Sequence, residues 1–293
     1  NIHTICYNFM PIVDWTRTQI DFKLPTDGLA LKFNYLQIII FEMYILKLKD
    51  LEKRYTFKQI KNAEKFFKSM NTNDIKNLKL AVMGGLPASE TKYSINEFKK
   101  MLNAYKKVTN KDLKQNLREF IKEIMPVAEE NNVKMGIHPD DPPIPLFGVP
   151  RIVSTLEDYK YILDSYNSSC NGMTFCAGSL ASNFNNDVYK IFSKFKKRVN
   201  FIHLRNIKKE KDRKSFYESN HLKGDIDFVR LIKMILKEEK TRSKIKKIEI
   251  PMRPDHGHSL LDDQSKKNFN PGYTAIGRLM GLSELRGIIK AVI

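Results

Sequence analysis

Four side chains able to hold a metal ion stand at long, unit-like spacings in this sequence: His138, Cys176, His203 and Asp255, which lie 38, 27 and 52 residues apart. Each follows a short apolar run, at residues 133–137, 172–175, 199–202 and 245–250. Short apolar runs bounded by polar turns read as buried strands, and gaps of this length are those of strand–helix–strand units. Parallel strands would carry all four side chains to one face. Imidazole, thiolate and carboxylate together suit a borderline divalent ion such as Fe(II), Mn(II), Co(II) or Zn(II). A structural zinc site more often uses Cys-x-x-Cys pairs, and the sequence has none. Any one of the four, taken alone, is as readily a packed or hydrogen-bonded side chain. Their common register is what points to a metal.

Polar groups suited to a small anion surround these positions. Asp140 and Asp141 follow His138 in a loop stiffened by Pro139, Pro142 and Pro143. After Cys176 come Ala177, Gly178 and Ser179, which offer backbone donors and a hydroxyl. Arg205, two residues past His203, has the planar fork that pairs with a carboxylate. Asp255, His256 and His258 fall within four residues, in a turn shaped by Pro254 and Gly257. Individually these are also the residues of turns, caps and surface ion pairs.

The elements that must position them read regularly from Asp112 onward. Leu113, Leu117, Phe120, Ile121 and Ile124 recur at helical spacing, with Pro126 expected to kink that helix. Thr155 and Asp158 form a capping box ahead of Tyr159, Ile162 and Leu163. Val188, Ile191, Phe192 and Phe195 share one helical face. Asp225 is placed to N-cap a helix that buries Phe228, Leu231, Ile232, Ile235 and Leu236, and a last helix is expected near 276–289. Earlier, residues 2–10 read as a strand ending at Pro11, and the segment with Asp14, Pro25 and Gly28 reads as a long loop. Residues 34–107 read mainly as helices, broken at Gly84-Gly85-Leu86-Pro87.

Five strands, each followed by helical sequence, make this an α/β chain of the TIM (β/α)₈ barrel type, which needs eight strands. The expectation is an N-terminally incomplete barrel in a single domain over 1–293, with a mainly helical insertion at about 34–107. An open doubly wound sheet is the alternative, but no glycine-rich phosphate loop opens a first helix. A five-strand remnant would expose apolar edges and faces, which self-association into a homo-oligomer would cover.

Composition narrows the classes. With 42% hydrophobic and 29% charged residues the chain is a soluble globular one, not a disordered one. Three cysteines are too few and oddly numbered for a disulfide framework, which points to the cytoplasm. The most apolar run, 36–46, is interrupted by Glu42 and is shorter than the ~20 residues of a membrane span. The net charge of +18 raises a nucleic-acid partner. However, its lysines are spread along helical faces with few aromatic–basic clusters, so the expectation is no nucleic acid and no membrane. Such a field also attracts small anionic substrates.

Longer motifs carry a resemblance. The runs Gly136-Ile137-His138-Pro139-Asp140-Asp141-Pro142-Pro143, Asn171-Gly172-Met173-Thr174-Phe175-Cys176-Ala177-Gly178-Ser179 and Phe201-Ile202-His203-Leu204-Arg205 resemble those of mannonate dehydratases of hexuronate degradation. So do Arg253-Pro254-Asp255-His256-Gly257-His258, Pro271-Gly272-Tyr273-Thr274-Ala275-Ile276-Gly277-Arg278 and Cys6-Tyr7-Asn8-Phe9-Met10-Pro11. The resemblance covers essentially the whole chain, in order. It implies a xylose-isomerase-like TIM barrel that converts D-mannonate to 2-keto-3-deoxy-D-gluconate and water with Fe(II) or Mn(II). It implies His138, Cys176, His203 and Asp255 as ligands, and His256 and Tyr273 as the catalytic pair. The chemistry needs one of these two as base and the other as acid, with Tyr273 the favoured base, and either order fits the sequence. Arg205, Ser179, Asp140 and His258 are the candidate substrate contacts. A metal-dependent sugar isomerase on the same barrel is the alternative within enzymes, and a basic nucleic-acid-binding protein the alternative outside them.

Overall fold

Five short strands pair side by side, all parallel, in a curled sheet. The computed structural model describes residues 2–12, 15–84, 93–246, 249–266 and 270–293. In chain order the elements are β1 (Thr4–Tyr7), β2 (Gln19–Lys23), β3 (Leu29–Phe33), α1 (Tyr35–Ile40), α2 (Phe57–Ser69), α3 (Thr72–Met83), α4 (Ile95–Ala104) and α5 (Asn110–Glu130). Then follow β4 (Lys134–Ile137), α6 (Leu156–Ser165), β5 (Asn171–Cys176), α7 (Ala177–Ser182), α8 (Val188–Phe195) and β6 (Val199–His203). The rest is β7 (Asn206–Lys209), β8 (Phe216–Ser219), α9 (Phe228–Lys246), β9 (Met252–Arg253) and α10 (Ala275–Val292). The parallel sheet runs β1-β4-β5-β6-β9. Strand β5 is buried along its whole length, as a central parallel strand covered on both faces must be. An incomplete barrel is the reading this topology supports.

Helices pack on the sheet by the faces read from sequence. Helix α5 buries Leu113, Leu117, Ile121, Met125 and Ala128 and continues past Pro126 to Glu130, whereas Phe120 points outward. The Thr155–Asp158 capping box opens α6, and α8 buries Val188, Ile191, Phe192 and Phe195. Among the described residues of 35–104 lie helices α1 to α4, a π-helical turn at Phe41–Ile45 and a 3-10 turn at Leu51–Lys53. The C-cap of α3 is Gly84, and Gly85, Leu86 and Pro87 lie outside the described residues.

Three expectations are corrected. Residues 19–33, read as loop, form an antiparallel hairpin, β2 with β3. It joins a second hairpin, β7 with β8, in a four-stranded sheet ordered β2-β3-β8-β7. Asp225 is not the cap of α9. It accepts from the Lys209 N–H and pairs with Lys208, while Asp227 accepts from the Arg230 N–H at 3.0 Å. Finally, the strand expected at 245–250 is found later in the chain. Helix α9 extends to Lys246, residues 247 and 248 lie outside the described residues, and the paired strand is Met252–Arg253, in register with Ile202 and His203.

Candidate active site

The parallel sheet delivers its special residues at one end. Cys176 and His203 close β5 and β6 and are register partners. His138 follows β4, its N–H donating to the Tyr7 carbonyl of β1 at 2.8 Å. Ligand atoms of His138, Cys176 and His203 all lie within 4.8 Å of one another. Asp255, two residues past β9 and in the left-handed region at φ 69°, joins them. Its Oδ2 is 3.8 Å from Cys176 Sγ and its Oδ1 is 3.3 Å from His203 Nδ1.

These four fit a divalent cation on the chemistry of their own atoms. His203 is buried, yet among the described residues neither ring nitrogen makes a hydrogen bond, although Asp255 Oδ1 approaches Nδ1 to 3.3 Å. Buried polar atoms without partners are costly in protein alone. His138 Nδ1 sits 2.7 Å from the Pro139 carbonyl, which fixes the proton there and leaves the Nε2 lone pair open to a cation. Burial also pushes the His138 pKa down, which keeps the neutral, ligating imidazole.

Behind the cluster lies a closed ring of buried charges. Arg17 binds Asp141 through Nη1 at 2.7 Å and Glu218 through Nη2 at 2.8 Å. Arg205 binds the same two carboxylates, Asp141 at 2.5 Å and Glu218 at 2.8 Å. Burial alone would raise both acids, but the two guanidiniums hold Asp141 far below the usual carboxylate range. For Glu218, likewise buried, His256 and Arg205 prevail and bring it down to about 2. Ser179 ties the ring to the cluster, with Oγ 3.0 Å from Asp141, 2.7 Å from Arg205 and 3.1 Å from Cys176 Sγ.

His256 stands between ring and cluster. Its Nδ1 is 2.8 Å from both oxygens of Glu218, and its Nε2 is 4.0 Å from Asp255 Oδ2. Trp15 packs edge-on against its ring, and Tyr273 lies 5.2 Å away between centroids. Tyr273 is brought there by backbone pairing: Gly257 N–H donates to the Gly272 carbonyl at 2.7 Å. Burial, with Asp255 adding to it, pushes Tyr273 up to about 12. The phenol therefore holds its proton at neutral pH. His138, His203, Asp255, His256 and Tyr273 line one cavity of about 150 Å³ with Cys6, Asn8, Met10, Trp15, Asp141, Arg205 and Arg253.

The remaining candidates are placed differently. Asp140 accepts from the Val153 N–H and Ser154 hydroxyl, so it shapes the following loop and does not line this cavity. His258 is buried on the far side of His256, in a small separate space with His221. Arg205 faces the cavity, but both of its terminal nitrogens are committed to protein groups. Sequence reasoning missed Arg17 as a structural partner, and missed Glu218 altogether. Arg17 lies 124 residues from Asp141 and 201 from Glu218, beyond any local pattern.

Consecutive parallel strands that bring an N, S and O donor set to a polar cavity at their C-terminal ends define a (β/α)-barrel metalloenzyme. The family model for D-mannonate dehydratase (UxuA) matches residues 1–293. Mannonate dehydratase from Marinomonas sp. (strain MWYL1) is 41% identical over 98% of this chain and 73% of its own length. Mannonate dehydratase from Chromohalobacter salexigens is 41% identical over 99% of this chain and 74% of its own. The crystal structure of mannonate dehydratase from Streptococcus suis serotype 2 superposes with a TM-score of 0.70 at 31% identity. That match covers 99% of this chain and 65% of that one, just under two thirds of its length. The chain belongs to the D-mannonate dehydratase family, a family of metal-dependent lyases, which favours neither the isomerase nor the nucleic-acid reading.

Proposed function

We propose that this chain dehydrates D-mannonate to 2-keto-3-deoxy-D-gluconate and water in the cavity at the strand ends, using Fe(II) or Mn(II). The observation that carries the reading is the meeting of His138, Cys176 and His203 within 4.8 Å, with Asp255 against them. Bound there, the ion would act as a Lewis acid toward the charge that develops beside the substrate carboxylate. The protein's own contribution is proton transfer. One group takes the C2 proton and another protonates the departing C3 hydroxyl, and His256 and Tyr273 face the cavity together. Tyr273 as base requires that cationic charge near Asp255 bring its pKa down, while Glu218 at 2.8 Å holds the His256 ring in place. The same reading takes the chain as one domain with a helical segment at 34–107, working in the cytoplasm, in a homo-oligomer. All three cysteines are free, in keeping with a reducing compartment. Among the described residues no helix is long and apolar enough to cross a membrane.

The test is anaerobic incubation of the Mn(II)-loaded protein with D-mannonate, following the 2-keto-3-deoxy acid. Turnover should appear and vanish on chelation. His256→Asn and Tyr273→Phe should each lower kcat at least about a hundredfold. Exchange of the C2 hydrogen with solvent should survive in whichever variant retains the base. Folded, metal-loaded protein that leaves D-mannonate untouched would sink the reading.

A further inference from the structure

The two arginines that line the cavity are in opposite states. Arg205 has a side chain 3% exposed, and both of its terminal nitrogens are spent on Asp141, Glu218 and Ser179. A substrate carboxylate could engage it only by displacing a buried carboxylate, which would leave a charge unpaired. Arg253 has a side chain 37% exposed, which among the described residues makes one hydrogen bond, from Nη2 to Asp255 Oδ1 at 3.2 Å. Its Nε is buried without a hydrogen-bond partner among the described residues. Its place is fixed, because it ends β9 in register with His203 and so lies beside the ligand cluster.

We infer that Arg253, and not Arg205, recognises the carboxylate of the sugar acid. A planar guanidinium with unused donors is suited to a carboxylate oxygen, and a buried Nε without a partner is satisfied by such a ligand. The position also suits the chemistry. Held by Arg253, the carboxylate lies next to Asp255 and His203, and the neighbouring carbon C2 faces His256 and Tyr273 across the same cavity. A neutral aldose would leave the guanidinium without its anion, so this residue would separate acid from aldose. The inference rests on the proposed reaction and adds the residue that selects for the acid.

Calorimetry tests it without turnover. The ligands are the 3-deoxy analogue of D-mannonate, which lacks the leaving hydroxyl, and the corresponding neutral amide, titrated into Mn(II)-loaded protein under anaerobic conditions. The unmodified protein should prefer the acid by about tenfold to a hundredfold, the range of a charge-assisted hydrogen bond. Arg253→Met should erase that preference by weakening the acid alone, and Arg253→Lys, which keeps a charge beside Asp255, should restore part of it. Metal content is measured in every variant. A preference that persists in Arg253→Met overturns the inference. So does a Lys variant that holds Mn(II) and has the unmodified preference while the Met variant has only lost its metal, since Arg253 would then serve the metal site. If the unmodified protein binds neither analogue, the proposed reaction falls first.

Discussion

Asp141 and Glu218 each sit between the same two guanidinium groups, so a single change in that ring leaves a buried charge uncompensated. Glu218 shows how this reads out with pH. Its carboxyl, ordinarily at 4.5, is brought to about 2 against the opposing effect of burial, by His256 and Arg205. A carboxyl lowered on folding contributes stability that is fully present above its unfolded pKa. That contribution is lost as pH falls from about 4.5 through about 2. Glu218→Gln should therefore be less stable than the parent at pH 6, by on the order of 3 kcal/mol. The gap should close across the acid range, as the parent's Glu218 becomes protonated too. Urea unfolding at stepped pH measures it, and a gap independent of pH would show that Glu218 owes nothing to its charge. The same substitution frees the His256 ring, so kcat should fall more than KM rises. Three of the candidate ligands, His138, Cys176 and His203, were legible in sequence because each closes a mainly apolar run that forms a strand. Arg17 and Glu218 were not, because their roles exist only once two sheets meet.

At the scale of elements, β4, β5 and β6 were legible because largely buried strands are mainly apolar runs bounded by turns. The second sheet was hidden for the opposite reason: β2, β7 and β8 are short and only partly buried, and Gln19–Lys23 alternates weakly. Strand β9 is two residues long, too short to leave a pattern. What holds its far end is a close approach of α10. A Cβ on Gly277 would meet the His258 carbonyl oxygen at 1.9 Å, with Gly257 only a little further away. Gly277→Ala must therefore push the start of α10 away from the 255–258 turn that carries Asp255 and His256. It should cost about 1–3 kcal/mol or more and lower kcat with it. Gly287, on the same helix, has nothing within 4 Å of its added Cβ. Gly287→Ala should instead stabilise by about 0.4–1 kcal/mol and leave turnover alone. Thermal denaturation of the pair is the comparison. Equal effects at the two positions would mean that the close packing of α10 does not hold the turn.

For the molecule as a whole, the candidate ligands come from the ends of four neighbouring strands, β4, β5, β6 and β9, so an ion bound to all four would tie together most of the parallel sheet. Such an ion has no preformed site in the unfolded chain, and its binding energy becomes folding energy. At a Mn(II) concentration about a hundred times its Kd the gain is about 2.7 kcal/mol. For a chain of 293 residues that raises Tm by roughly 4–5 °C. The net charge of +18 argues that a rise of this kind would be specific, because the protein's general field repels a divalent cation. Magnesium salt at matched ionic strength should consequently give little or no shift. Cys176→Ala removes a candidate ligand but only a small buried side chain, and its own Tm should hardly respond to Mn(II). If the variant and the parent rise together, the ion is acting elsewhere on the surface. The strand ends would then be a polar cavity held by its own ion pairs, with Asp255 kept ionised by His203, His256 and Arg205 despite its burial.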